Sequence, residues 1–201
     1  MDTSFVEELA SAAPTPGGGG ASAYCGALAS ALASMVGNLT VGKKSFAQVE
    51  PEVYMRLEKL AALRRRLLEL VGEDAQAFGP LAAAYRMPKD TPEQQAAKEA
   101  AIQLRWWARA RCRLTSCARL RPWWTAPSSG VQRSRMARSD AGVAAAFARA
   151  AVDGASLNVY INVASMADDA RAEGYRKERI AWSRRRASVR RGVRVVKDAI
   201  S

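Results

Sequence analysis

APTPGGGGAS, residues 13–22, runs without a break into AYCGALASALASMVGNLT, residues 23–40, and this junction decides how the chain is read. Before it, residues 3–12 predict a short helix with Phe5, Val6 and Leu9 on one side, stopped by Pro14 and Pro16. Gly17, Gly18, Gly19 and Gly20 carry no Cβ, which permits close backbone approach and unusual dihedrals. A flexible linker is one reading of this run, but linkers rarely lead straight into a tightly packing helix. The other reading is a loop that presents backbone N–H groups at a helix N-terminus, suited to an anion or a polar ring. It is not a P-loop, because no GKS or GKT ending follows at the required spacing. The helix expected over about residues 22–39 is rich in Ala, Gly and Ser, so neighbouring helices can approach closely. Leu28, Leu32, Met35 and Val36 supply its larger apolar groups. It reads as too short and too small-sided for a membrane helix.

Working outward, Gly42, Lys43 and Lys44 precede a polar stretch up to Pro51. The lysine pair reads either as solvated charge or as an anion-binding group beside a site. Residues 51–85 predict one long helix, since Val53, Leu57, Leu60, Leu63, Leu67, Leu70 and Val71 recur every three or four residues. Asp74 falls one turn beyond Leu70, beside that seam, where an acid is either an edge-of-core ion-pair partner or a functional group. Met87, Pro88 and Lys89 break the pattern. Thr91 is then an expected N-cap with Pro92 at the first helical position of a segment reaching Gln103. SDAGVAAAFARAAV, residues 139–152, predicts a further small-sided helix with Ser139 as its cap and Asp140 at its N-terminus. After Gly154, ASLNVYINVASMADD reads as helix despite its β-branched residues, with Asn158 and Asn162 on one face. No strand has an evident pairing partner. The expectation is one all-α domain over residues 1–201, an up-and-down antiparallel helical bundle.

The composition excludes several classes of function. Apolar residues make up 49% of the chain, so it is not compositionally disordered. Histidine is absent, which removes His acid–base chemistry and His metal ligation. Cys25, Cys112 and Cys117 form no disulfide framework, and Asp2, Glu7 and Glu8 stand where a signal peptide would be basic. A cytoplasmic location with no membrane partner is expected. The net charge of +12 suggests nucleic acid at first sight. Yet residues 105–138 hold nine Arg and no acid, residues 171–201 hold eleven basic and three acidic residues, and the remainder is net acidic. The same two segments hold all five Trp, at 106, 107, 123, 124 and 182. Two foreign-looking segments thus supply the whole excess, and no zinc, homeodomain or RNA-binding motif accompanies them.

The chain resembles the formiminotetrahydrofolate cyclodeaminase/methenyltetrahydrofolate cyclohydrolase family, especially its small stand-alone bacterial cyclohydrolases. The resemblance is carried by APTPGGGGAS (13–22), MVGNLTVGKK (35–44), LRRRLLELVGEDAQAF (63–78), YRMPKDTPEQ (85–94), AIQ (101–103), SDAGVAA (139–145) and LNVYIN (157–162), in family order and nearly at family spacing. It implies a helical subunit that works as a homodimer, with a tetrahydrofolate derivative as substrate and no metal or bound organic cofactor. The glycine-rich match carries over at Pro14, Thr15, Pro16 and Gly17 to Gly20. The NLT-GKK match carries over at Asn38, Thr40, Lys43 and Lys44, and the two acids at Asp74 and Asp140.

Such a substrate sets the roles. Methenyltetrahydrofolate holds a cationic amidinium carbon between N5 and N10, and a carboxylate can stabilise the cation and orient or deprotonate the attacking water. Asp140 is the first candidate and Asp74 the second. Lys43 would assist proton transfer or bind the anionic glutamyl tail, and Lys44 would bind that tail. The glycine loop would pack on the folate. Hydrolysis to 10-formyltetrahydrofolate leads. The alternatives are cyclodeamination of formiminotetrahydrofolate, a catalytically dead helical protein, or a basic nucleic-acid binder.

Between Gln103 and Ser139 the family pattern stops, and the codons suggest why. Trp has only the codon TGG. Cys112 to Cys117 can be written TGC CGC TTG ACG TCG TGC, and one base earlier the same string, entered through a G, encodes Val-Pro-Leu-Asp-Val-Val, a family-like segment. We therefore expect the gene to carry a single-base displacement shortly after Gln103 and a compensating one shortly before Ser139. Reading the nucleotide sequence decides it. A stop in the preceding frame across residues 104–138, or nothing like Val-Pro-Leu there, makes the Arg/Trp-rich segment native.

Overall fold

Twenty-one consecutive residues without a charged side chain form the central helix. The computed structural model describes residues 3–102, residues 135–164 and Arg194. Most of the Arg/Trp-rich segment 104–138 and all of the basic tail 171–201 except Arg194 lie outside the described residues. Helix α1 is Ser4–Ala10 and α2 is Gly18–Asn38. A 3₁₀ turn, Lys44–Val49, leads into α3, Glu50–Gln76. Helix α4 is Phe78–Tyr85, α5 covers residues 92–102, and α6 is Arg135–Ala164. The described residues are all-α, with no strand among them.

Small residues set the packing. Along α2, Ala23, Ala27, Ala29, Ser30, Ala33, Ser34, Val36 and Gly37 are buried, and Leu60, Leu67 and Leu70 of α3 meet them. On α6, Ala137, Ala141, Ala144, Ala151, Val152 and Ala155 close the third side. The pairings run in opposite order along the chain: Ala23 and Ala27 cluster with Ala151 to Ala155, Ala33 with Ala144, and Val36 with Ala137 and Ala141. Helices α3 and α6 are therefore both antiparallel to α2. Polar bonds pin the register with α3: Ser30 Oγ donates to the Leu60 carbonyl at 2.8 Å and Arg64 Nη1 to Ser34 Oγ at 3.1 Å. On the outer side of α3, Arg66 pairs with Glu69 and Glu73, half-exposed ion pairs that add little stability.

Four expectations change. Helix α2 begins at Gly18, so three of the four glycines form its first turn, and none of the run has a positive φ; among the described glycines Gly42, at +78°, is the one that does. The single helix expected over 51–85 divides at Ala77, because Pro80 lacks an N–H and is tolerated only in the first turn of a new helix. Helix α6 starts at Arg135 and continues through Gly154, so Ser139 and Asp140 sit in its second turn instead of capping it. Among the described residues one helix, α2, is long and apolar enough to cross a membrane, contrary to the expectation that it is too short. Half of its most apolar stretch is buried inside the protein.

The cap at Thr91 is present. Thr91 Oγ1 accepts from Gln94 N–H at 3.3 Å, and Gln94 Oε1 accepts from Thr91 N–H at 3.3 Å, a reciprocal capping box. Bonds from its own backbone N–H and then from the Thr91 hydroxyl hold the exposed Glu93 carboxyl below its ordinary value.

Two glycines in long helices should respond oppositely to alanine. A Cβ on Gly72 of α3 would meet nothing within 4 Å, whereas one on Gly154 of α6 would stand 2.5 Å from Ser22 Oγ. Gly72→Ala should stabilise by about 0.5–1 kcal/mol through helix propensity. Gly154→Ala should destabilise by about 1–3 kcal/mol through overpacking at the α2–α6 contact. Chemical denaturation midpoints check both signs.

Candidate functional site

The polar groups gather where α2 begins. Gly17 is its N-cap and offers no side chain, so the first-turn N–H groups look for acceptors elsewhere. Asp74 provides one. It is 7% exposed, and its Oδ2 accepts from Gly20 N–H at 3.1 Å. Asp74 lies in the last turn of α3, where the carbonyl end of its own helix disfavours an acid, and the positive end of α2 offsets this. Ser22 Oγ turns back to the Gly18 carbonyl at 2.6 Å. From α6, Asn158 reaches the same end, with its Nδ2 donating to the Gly154 carbonyl at 2.9 Å.

The glycines differ in what they permit. A Cβ on Gly17 would meet nothing, and one on Gly20 would make ordinary contacts of 3.7 Å with Pro16 and 3.8 Å with Val71. A Cβ on Gly18 would stand 3.3 Å from Asn158 Nδ2, closer than side chains normally pack. Of Gly17, Gly18 and Gly20, Gly18 is thus the one where the close approach expected of the run is found. Pro14 is exposed, Thr15 and Pro16 are half-buried, and the Thr15–Pro16 peptide is cis.

The other expected site residues stand at the opposite end of α2. Asn38 ends the helix and is exposed, as are Lys43 and Lys44. Thr40 is buried, with its hydroxyl donating to the Val36 carbonyl at 2.9 Å. Asp140 is half-buried in α6 next to Ala141, which packs on Val36. From Gly20 to Val36 the helix rises about 24 Å. Within one chain the structure thus brings Asp74 together with Gly17 to Gly20, puts Asp140 at the end that holds Asn38, Lys43 and Lys44, and keeps the two groups apart.

Asn158 is the residue at this end that sequence reasoning did not single out as a site. The signal was present: an Asn in mid-helix, four residues after a glycine, in a stretch matching the family. Cys25 is elsewhere along α2, its Sγ 3.3 Å from the Phe147 carbonyl, and burial pushes its thiol above the ordinary value. Among the described residues no three His, Cys, Asp or Glu side chains cluster in a way that could hold a metal ion.

An all-α bundle whose glycine-rich helix start is closed by a buried carboxylate is the class that fold and site define. Residues 2–180 match the Formiminotransferase-cyclodeaminase family. A methenyltetrahydrofolate cyclohydrolase of Methylorubrum extorquens is 42% identical over 175 residues, 87% of this chain and 84% of that protein. A formimidoyltransferase-cyclodeaminase of Sus scrofa is 34% identical over 167 residues, 83% of this chain but 31% of that longer protein. The crystal structure of formiminotetrahydrofolate cyclodeaminase from Thermotoga maritima superposes with a TM-score of 0.68 at 26% identity, covering 98% of this chain and 93% of that one. The chain belongs to the formiminotransferase-cyclodeaminase family, and is a folate-processing enzyme of the cyclohydrolase/cyclodeaminase fold.

The Asp74 bond has a measurable consequence. Asp74→Ala leaves the buried Gly20 N–H without its acceptor and should destabilise the fold by about 1–3 kcal/mol. Asp74→Asn keeps an acceptor oxygen and should lose less. Equal denaturation midpoints for Asp74→Ala and the unaltered chain would remove the bond from the stability of the α2–α3 pair.

Proposed function

We propose that the chain hydrolyses 5,10-methenyltetrahydrofolate to 10-formyltetrahydrofolate in the cytoplasm, without a metal or bound organic cofactor. The 42% identity to the Methylorubrum cyclohydrolase along most of both chains carries this reading. Water adds to the amidinium carbon and releases one proton. The carbon–N5 bond then breaks, N5 takes the hydroxyl proton, and the formyl group stays on N10. Asp140 orients or deprotonates the water, and Asp74 stabilises the cation from the glycine end. Lys43 assists proton transfer or holds the glutamyl tail, and Lys44 holds that tail.

A second reading is cyclodeamination, in which N10 attacks the carbon of the protonated formimino group, the N10 proton passes to the departing nitrogen and ammonia leaves, giving the same methenyl cation. The family name, the Thermotoga structure and the four vertebrate bifunctional relatives weigh toward it. Those four relatives are about three times longer than the matched region, since this chain spans 31–32% of each. One preparation given each substrate in turn separates the readings. Hydrolysis should exceed ammonia release by at least about tenfold in kcat/KM, and the reverse ratio would make the chain a cyclodeaminase.

The roles given to Asp74 and Asp140 need the two ends of α2 in one site, so the reading includes a homodimer. The outward side of α2 carries Leu28, Met35 and Leu39, each 40–49% exposed, and no charge. Two such faces packed antiparallel about a two-fold axis set the Asp74 end of one copy beside the Asp140 end of its partner. Asp74→Asn and Asp140→Asn alone should each lower turnover by about 10²-fold. Mixed after unfolding and refolding together, the two variants should recover about a quarter of the original activity, because half of the dimers are mixed and hold one intact site. Recovery no greater than either variant alone would confine the chemistry to a single chain.

A further inference from the structure

Asn158 is held in one orientation at the start of α2. Its Nδ2 donates to the Gly154 carbonyl at 2.9 Å. A backbone carbonyl only accepts, so the nitrogen must face it, and Oδ1 and the second N–H take no part in that bond. The amide then lies against Gly18, where a Cβ would stand 3.3 Å from Nδ2 and 3.5 Å from Oδ1. The register that brings it there depends on Gly154, which leaves room for Ser22 Oγ, and Ser22 Oγ in turn bonds the Gly18 carbonyl. A glycine on each helix therefore lets α6 deliver a carboxamide to the first turn of α2.

Packing gives no reason for an amide there. Asn is a poor residue for a helix interior, because its side chain competes for backbone groups. An Ala would preserve the helix better and still clear Gly18. What the amide adds is one acceptor and one donor side by side, at the helix start where the Asp74 carboxylate accepts from Gly20 N–H. Such a pair matches the edge of a ring that alternates N–H donors with ring-nitrogen and carbonyl acceptors. We propose that Asn158 is a specificity-determining residue of the folate site, and that its carboxamide reads the amino-pyrimidinone edge of the pterin ring. This rests on the folate reading above and assigns Asn158 to recognition, with no part in bond making.

The test uses the full chain, two variants and two non-reacting ligands. The ligands are tetrahydrofolate and its analogue without the exocyclic amino group of the pterin ring, with binding measured by calorimetry. The unaltered chain should prefer tetrahydrofolate by about tenfold or more, since a site built to bond a polar group discriminates against its absence. Asn158→Ala should bring that ratio to within about twofold of unity, raise KM by about tenfold and leave kcat within about twofold. Asn158→Ser, smaller but still polar, is measured beside it and should fall between; it carries the test if Asn158→Ala does not fold. A structural role alone would weaken both ligands equally, and an unchanged ratio in the folded variants overturns the assignment. If the unaltered chain binds neither ligand, the folate reading itself fails. If it discriminates and the variants discriminate equally, the role of Asn158 alone fails.

Discussion

A single buried carboxylate ties the start of α2 to the end of α3. Helix α2 has no charged residue and no side-chain cap of its own, so its N-terminal N–H groups depend on another element. Asp74 meets that need through Gly20 N–H. The same contact accounts for an acid in the last turn of α3, which the dipole of that helix alone would disfavour. With this end fixed, the antiparallel register sets the remaining contacts: Ser30 with Leu60, Arg64 with Ser34, and Gly37 against Leu57. A Cβ on Gly37 would stand 2.8 Å from Leu57 Cδ2, so the helices are as close at the far end as their side chains allow.

Much of this was legible in the sequence because it rests on periodicity and residue size. The seam of Leu60, Leu67 and Leu70 is buried as its spacing predicts, and the Ala, Gly and Ser content of α2 foretells close packing. Thr91 caps α5 because a hydroxyl before Pro92 has a local partner in Gln94. The boundaries were less legible. A glycine run reads as loop, yet Gly18 to Gly20 are helical, with Asp74 of α3 accepting from Gly20 N–H and Asn158 of α6 lying against Gly18. Gly154 reads as an interruption, yet α6 passes through it, since packing against Ser22 favours a residue without a Cβ.

The position of Asp140 illustrates a different limit. Motif order along a chain does not say which end of a bundle each motif occupies. That depends on the direction of each helix, and the Arg/Trp-rich segment before α6 hides how many reversals precede it. The antiparallel pairing of Ala33 with Ala144 and Val36 with Ala141 decides the direction, and it carries Asp140 away from Asp74.

This separation constrains any mechanism more than the identity of either acid does. A carboxylate acts on a cation or a water through direct contact or one hydrogen bond, a reach of about 3 Å. The stretch of α-helix from Gly20 to Val36 is rigid on that scale, about 24 Å long. No side-chain rotation within one chain closes such a gap. Either one acid serves the fold alone, or two copies share a site. The first case leaves the glycine end, where a buried carboxylate and an oriented carboxamide meet the first turn of α2, as the end with donors and acceptors for a polar ring. The second explains why a helix with an apolar core face also carries Leu28, Met35 and Leu39 on the opposite side, where an isolated subunit would favour charge. A partner on that face would remove the apolar stripe from water and bring the lysines of one copy to the glycine end of the other, so the same contact that stabilises the assembly would complete the site.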